Sequence, residues 1–219
     1  MSNIHLFYHV GQVGIWEFVY LDQIHKMYIS GLLKNTNTLH IGVNGNLELP
    51  HVPKNANVVR FLNTGEENTT LSLVKDFCGK NSNSMVMYTH TKGVKHNNKY
   101  CESWRRFMDY FTIIKWKDNI EYLKDYDCVG TNWQIDTFLG KKPHFSGNCW
   151  WATSKHINDL NHEYLTTPSI YDREFWIGST YFTKSPKVKN LFDSGLNKIN
   201  HAGHNDQMYP EDNYVFDYL

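Results

Sequence analysis

The sequence predicts an α/β fold: one domain built on a mixed, mostly parallel central sheet with helices on its flanks. Three observations carry this. Apolar strand-like runs alternate with helix-period segments as β-α-β-β-α-β up to His90. At 219 residues, 41% hydrophobic and 15% aromatic, the chain can bury a full core and is too apolar for disorder. No internal repeat or linker interrupts it, so residues 1–219 read as one domain.

The elements follow in order. Ile4 to Val10 reads as a strand, and Trp16 to Leu32 as a helix whose apolar residues Trp16, Val19, Leu21, Ile24, Met27 and Tyr28 recur near the helical period. "TLHIGVNG" and "NVVRFL" read as short buried strands. A helix through "TTLSLVKDFCG" closes at Gly79, and "SMVMYTH" is the next strand. A long amphipathic helix is expected from Lys99 to Lys117, with Trp104, Phe107, Phe111 and Ile114 on its core face and Arg105, Arg106 and Asp109 on others. A helix around Asp118 to Leu123 then leads to the strand "DCVGTNW". "HFSGNCWWA" reads as a turn entering a strand, and "TSKHINDL" begins with an N-cap residue. "REFWIGSTYF" is a buried element, helix or strand, and the tail from Asn197 to Leu219 is expected to wrap over the sheet.

Composition excludes several classes. No apolar run approaches the roughly 20 residues of a membrane helix, and a strand pattern begins almost at Met1 with no signal-like segment before it, so a cytoplasmic protein is expected. Cys78, Cys101, Cys128 and Cys149 form no C-x-x-C and are expected as reduced, buried thiols. The net charge is zero but unevenly spread: Lys75 to Lys117 holds nine Lys/Arg against three Asp/Glu, which suits an anionic ligand. Neither a strongly basic domain nor a nucleic-acid motif is present.

Ligands of largely parallel sheets bind outside the carboxyl ends of the strands, which directs attention to "MVMYTHTKGV". There is no G-x-G-x-x-G after the first strand, no P-loop and no G-x-S-x-G elbow. In "HFSGNCWWA", Gly147 allows close backbone approach, Ser146 and Asn148 offer hydrogen bonds, and Trp151 offers a flat face for a sugar ring. Adjacent strand residues point to opposite sides, so one of Trp150 and Trp151 belongs to the core. Asp125-Tyr126-Asp127 precedes its strand and so lies at the wrong end of the sheet for a ligand site.

"HTKG" after an apolar strand, "SWRRFMDYF", "YDCVGTNW", "PHFSGNCWWA" and "REFWIGS", in this order, resemble a family of small GT-A-fold glycosyltransferases. That family occurs in large DNA viruses and in bacterial surface-polysaccharide clusters. The resemblance spans about Ile4 to Phe182 and implies a nucleotide-sugar-binding half (about 1–95) and an acceptor-binding half (about 96–219). It implies donor contacts at His9, Asn44, Thr89, His90, Thr91, Lys92 and Trp133, and acceptor contacts at Ser146, Gly147, Asn148 and Trp151. The C-terminal loop, with His201 and His204, would close over the diphosphate.

Where such enzymes usually carry Asp-x-Asp for a divalent ion, this sequence has Thr89-His90-Thr91. Either Lys92 and His90 neutralise the diphosphate directly, or His90 is one ligand of a loosely held Mn or Mg ion. A metal is therefore compatible with the sequence but not required by it. Glu174 is the expected general base for the acceptor hydroxyl, with Asp172 as runner-up. The expected activity is sugar transfer from a nucleotide-sugar, a UDP-sugar first, to a glycan acceptor in surface or virion glycan synthesis. Inversion is the expected stereochemistry and retention stays open. The rival readings are a non-catalytic carbohydrate-binding module and a sugar nucleotidyltransferase.

Overall fold

In the computed structural model, which describes residues 3–61, 66–135, 142–195 and 208–215, a seven-stranded sheet runs through the molecule. Its strands are β1 (Ile4–Gly11), β2 (Thr38–Asn44), β3 (Ala56–Phe61), β4 (Met85–His90), β5 (Cys128–Gly130), β8 (Trp150–Thr153) and β9 (Val188–Asn190). They lie in the order β3-β2-β1-β4-β8-β5-β9, while β6 (Trp133–Gln134) and β7 (His144–Phe145) form a separate antiparallel pair. All neighbours in the large sheet are parallel except β8, which is antiparallel to both β4 and β5. Both halves of the chain thus contribute to one sheet, as the alternation predicts.

The central strands are apolar on both sides because helices cover both faces. On one face, α1 (Trp16–Ile29) and α5 (Trp116–Tyr122) pack Val19, Ile24, Met27 and Trp116 with Leu6, Val10, Met87 and Trp151. On the other, α3 (Glu67–Lys80) and α6 (Ser154–Asp159) pack Leu71, Val74 and Ile157 with Phe7, Val86, Tyr88 and Trp150. The two tryptophans do part to opposite sides, but both are fully buried, so neither Trp150 nor Trp151 offers a face to a ligand. Trp151 donates its indole N–H to the Thr112 carbonyl at 2.9 Å, which removes it from the acceptor group. All four cysteines are buried, and no disulfide joins any of them. Asp127 accepts the Lys187 N–H at the amino end of β5, so the literal D-x-D serves a loop.

Several expectations need correction. The first helix ends at Ile29, and α2 (Leu32–Asn35) follows after Gly31 in the left-handed region. Its Leu21 and Tyr28 are exposed, whereas Tyr20 and Gln23 are buried. The long helix is not continuous either. α4 (Lys99–Asp109) passes into a π turn at Tyr110–Ile114 before α5 begins. A π turn inserts one residue into the helical register, so Ile113 instead of Ile114 is fully buried. Arg105 and Asp109, expected away from the core, are buried as well.

"REFWIGSTYF" is helical, through α7 (Ile170–Phe175), a 3-10 turn at Trp176–Gly178 and α8 (Tyr181–Lys184). The described part of the tail packs on α4, where Tyr209 and Tyr214 join Trp104, Phe107 and Met108; it does not lie over the sheet. Among the described residues no helix is long and apolar enough to cross a membrane.

Candidate active site at the switch point

The chain builds β1, β2 and β3 outward in one direction, then returns to place β4 on the other side of β1. Such a reversal opens a crevice at the carboxyl ends of the two strands. His9 and His90 are register partners at those ends, and both are buried. Helix α3 lies beneath them. Gly42 permits this closeness, because a Cβ there would collide with the Thr70 side chain. Thr70 Oγ1 meets His9 Nδ1 at 2.9 Å. Burial pushes the His9 pKa down to about 4, despite the nearby Glu67 charge, so this ring is neutral near pH 7.

His90 is the opposite case. Its Nδ1 lies 3.0 Å from Glu67 Oε1, and its Nε2 lies 2.8 Å from the Gly147 carbonyl. A carbonyl oxygen only accepts, so Nε2 carries a proton, and the carboxylate favours a second proton at Nδ1. Burial alone would lower this pKa, but the Glu67 charge, with hydrogen bonding to Cys149 and Glu67, raises it to about 10. Burial likewise works to raise the Glu67 pKa, and the His90 charge and hydrogen bond, with Lys92, hold the carboxyl well below the usual range. Glu67 Oε2 also accepts from Asn148 Nδ2 at 2.7 Å and Tyr88 Oη at 3.3 Å.

This overturns both sequence-based roles for His90. With one nitrogen on a carboxylate and the other on a carbonyl, the ring has no lone pair for a metal and no spare N–H for a diphosphate. His90 does not fit as a metal ligand. Among the described residues no group of three His, Cys, Asp or Glu side chains is arranged to hold an ion.

The SGN turn is drawn into the same network. Gly147 has φ +94°, and a Cβ would strike Met108 and Trp104 of α4, so only glycine fits. Asn148, itself at φ 54°, uses its amide on Glu67 and its Oδ1 on the Trp150 indole, so it braces the turn and is not left to face an acceptor. Ser146 is buried, its N–H on the Asn132 carbonyl.

Glu174, on α7, accepts the Gly147 N–H at 2.6 Å through Oε1, which leaves Oε2 without a hydrogen-bond partner among the described residues. Its neighbour Arg173 pairs with Glu66, not with Glu174. Asp172 points to Lys142 at 3.6 Å. A continuous chain of contacts therefore runs Glu67–His90–Gly147–Glu174, joining the two halves expected to bind different substrates.

The remaining donor residues divide. Thr91 accepts the Gly11 N–H at 3.1 Å and ties the β1 and β4 ends together. Thr89 turns away, toward Cys149 at 3.5 Å. Lys92 lies over the Trp104 ring at 4.7 Å, and Asn44 ends β2, where its carbonyl accepts the Gln12 N–H. Trp133 packs against Phe145 and Tyr181 on the β6–β7 pair, where its ring stacks on protein and not on a ligand. His201 and His204 lie outside the described residues.

Sequence reading missed Glu67, the residue that organises the centre. The available signal was its place in the first turn of α3, next to Glu66, where carboxylates suit a helix start.

Fold and strand-end geometry define an α/β domain with a mostly parallel, seven-stranded mixed sheet flanked by helices and a buried ionic centre at the switch point. The chain belongs to the family described as Domain of unknown function (DUF8361), whose model matches residues 19–184. No curated protein matches it. It is similar to the solved structure of the bifunctional IspDF from Campylobacter jejuni, at 11% identity and TM-score 0.41 over 89% of this chain and 50% of that one. It is also similar to a 4-diphosphocytidyl-2C-methyl-D-erythritol synthase, at 13% identity and TM-score 0.36 over 98% of this chain and 96% of that one. The chain spans half the length of the Campylobacter protein, and likenesses this distant do not bear on activity.

Proposed function

We propose that this protein is a nucleotide-dependent transferase that moves a sugar from a nucleotide-sugar, a UDP-sugar first, to a glycan acceptor. The observation that supports this is the Glu174 carboxylate, anchored through one oxygen by the Gly147 amide beside the strand-end crevice. One oxygen held and the other unengaged is the arrangement a general base needs to take a proton from an attacking hydroxyl. The His90–Glu67 pair holds the turn that presents it. Inversion at the anomeric carbon, with Glu174 acting directly on the acceptor, is the simplest stereochemistry for a single such carboxylate.

A second reading, a sugar nucleotidyltransferase, draws on the glycine turn Gly11 to Gly14 that leaves β1, with Gly14 at φ +56°. Phosphates commonly lie on glycine turns of this kind. Here the N–H groups of Gly11, Gln12, Val13 and Ile15 are already bonded to Thr91, Asn44, Gly11 and Val94, which leaves that turn few donors for a triphosphate.

Incubation with nucleotide-sugars in one arm, and with nucleoside triphosphates plus sugar phosphates in the other, separates the readings. Release of a nucleoside diphosphate is expected in the first arm. Release of pyrophosphate in the second would establish the nucleotidyltransferase instead, and turnover in neither arm would leave only binding. Glu174→Gln should lower transfer about 100- to 10,000-fold while the nucleotide-induced melting shift persists. Near-normal transfer by that variant would remove Glu174 from the chemistry.

A further inference from the structure

One basic residue of the stretch from Lys75 to Lys117, Arg105, is buried and takes no part in the Glu67–His90 centre. Between the start of α1 and the loop entering α4 lies a cavity of about 190 Å³ lined by Ile15, Phe18, His96, Asn98, Glu102 and Arg105. Both walls leave the carboxyl ends of β1 and β4, so the cavity opens at the switch point, on the α1 side of the sheet.

Arg105 is 3% exposed, yet no carboxylate among the described residues lies within ion-pair distance of it. One of its amino groups donates to the Lys92 carbonyl at 3.0 Å. The acids that share its helix are committed elsewhere. Glu102 is held by Arg106 at 2.6 Å, and Asp109 by Lys26 at 2.8 Å and Gln23 at 2.7 Å. A buried guanidinium without a counter-charge is costly, and the planar fork of Arg suits phosphate oxygens better than any other side chain does. The loop beside it contributes His96 and Asn98 to the lining, and Lys95 and Lys99 flank them in sequence.

Two further features narrow the ligand. The volume is below the roughly 300–1,000 Å³ of pockets that enclose a whole small molecule, so the cavity takes the charged part of a larger one. At its rim Phe18 is 65% exposed, a flat apolar face at the mouth of the cavity that Arg105 lines. The helix that carries Arg105 also packs against the turn that anchors Glu174, since Trp104, next to Arg105, carries Lys92 on its ring and would meet a Cβ at Gly147.

We propose that this cavity receives the diphosphate of a nucleotide ligand, with Arg105 as its buried counter-charge and the base lying on Phe18. The proposal rests on the transferase reading above and assigns that reading its donor subsite.

The test is calorimetric titration of the full chain with UDP, GDP and dTDP, and separately with inorganic pyrophosphate as a competitor. Phe18→Glu changes an exposed position and spares the fold while placing a negative charge at the cavity mouth. Arg105→Lys keeps the charge but loses the fork. Pyrophosphate is expected to compete with the nucleotide, and each variant to weaken nucleotide binding by about tenfold or more, Arg105→Lys by losing the bidentate contact and Phe18→Glu by setting a like charge against the phosphates. Should Arg105→Lys misfold, Phe18→Glu decides alone. A nucleotide that binds wild type and folded Phe18→Glu equally, or that pyrophosphate fails to displace, would overturn the subsite and leave the transferase reading standing. A wild-type protein that binds no nucleoside diphosphate and turns over no nucleotide-sugar would overturn both.

Discussion

The carboxyl ends of β1 and β4 each present a buried histidine, and the two are register partners, yet one is neutral and the other a cation. What differs is one position on α3. Thr70 faces His9 with a hydroxyl, while Glu67, three residues earlier and therefore on the same helix face, offers His90 a carboxylate. His9 is hydrogen-bonded to a hydroxyl instead of the carboxylate, and the His90 and Arg173 charges work against the pull of Glu67, so the desolvation cost of charging its imidazole wins. With a carboxylate at 3.0 Å and a carbonyl at 2.8 Å, the ion pair wins. A histidine at a strand end thus has no charge state of its own; the helix beneath assigns it.

The largest expected effect comes from removing that assignment. Glu67→Gln keeps the size of the side chain but leaves the His90 ring without its counter-charge. Breaking a buried pair costs about 3–5 kcal/mol, and the lower end applies because the Glu67 side chain keeps 27% exposure. Urea denaturation at pH 7 reads this directly. A loss under about 1 kcal/mol would mean that His90 is not held as a cation and that the two strand ends are alike.

The pH profile sharpens the contrast at intermediate cost. The folded pKa of His90 is raised above its unfolded value, so its stabilisation is complete below about 6.5 and is lost as pH rises toward about 10. His9 is depressed to about 4, so the unfolded chain binds the extra proton between about 6.5 and 4, and stability falls as pH drops through that window. His40, lowered to about 4 mainly by burial, adds to the same acid limb. Urea midpoints from pH 4 to pH 10 should therefore decline on both sides. In Glu67→Gln the alkaline decline should flatten while the acid one remains, and in His9→Gln the acid limb should become shallower. An alkaline limb unchanged in Glu67→Gln would assign it to other groups.

The smallest effect is expected at Asp172. Its partner Lys142 is 46% exposed and 3.6 Å away, so Asp172→Asn should cost less than about 1 kcal/mol and leave sugar transfer near normal. A large loss of transfer confined to this variant would move the base from Glu174 to Asp172.

Much of the scaffold was legible along the chain. Strand ends at His9 and His90, the turn at Ser146 to Asn148 and the opposite facing of Trp150 and Trp151 all follow from period-two patterning and turn residues, which are local properties. Legibility failed where a residue's role depends on a partner far away in sequence. Trp151 looked suited to stacking on a sugar and is sealed between the sheet and the Thr112 carbonyl. Asp109 was expected away from the core and is buried because Gln23 and Lys26 donate to its two oxygens, with Gln23 in turn accepting from Tyr8.

By itself, then, the sequence determined the α/β class, the order of strands and helices up to β4, and the polar strand end where the crevice opens, because hydrophobic periodicity and turn chemistry act over a few residues. Only the tertiary structure decided that β8 inserts antiparallel between β4 and β5, that Glu67 charges His90, that Gly147 holds Glu174, and that Arg105 is buried without a carboxylate. Each of these joins groups far apart along the chain, and charge, burial and hydrogen-bond satisfaction are fixed by which surfaces meet in space.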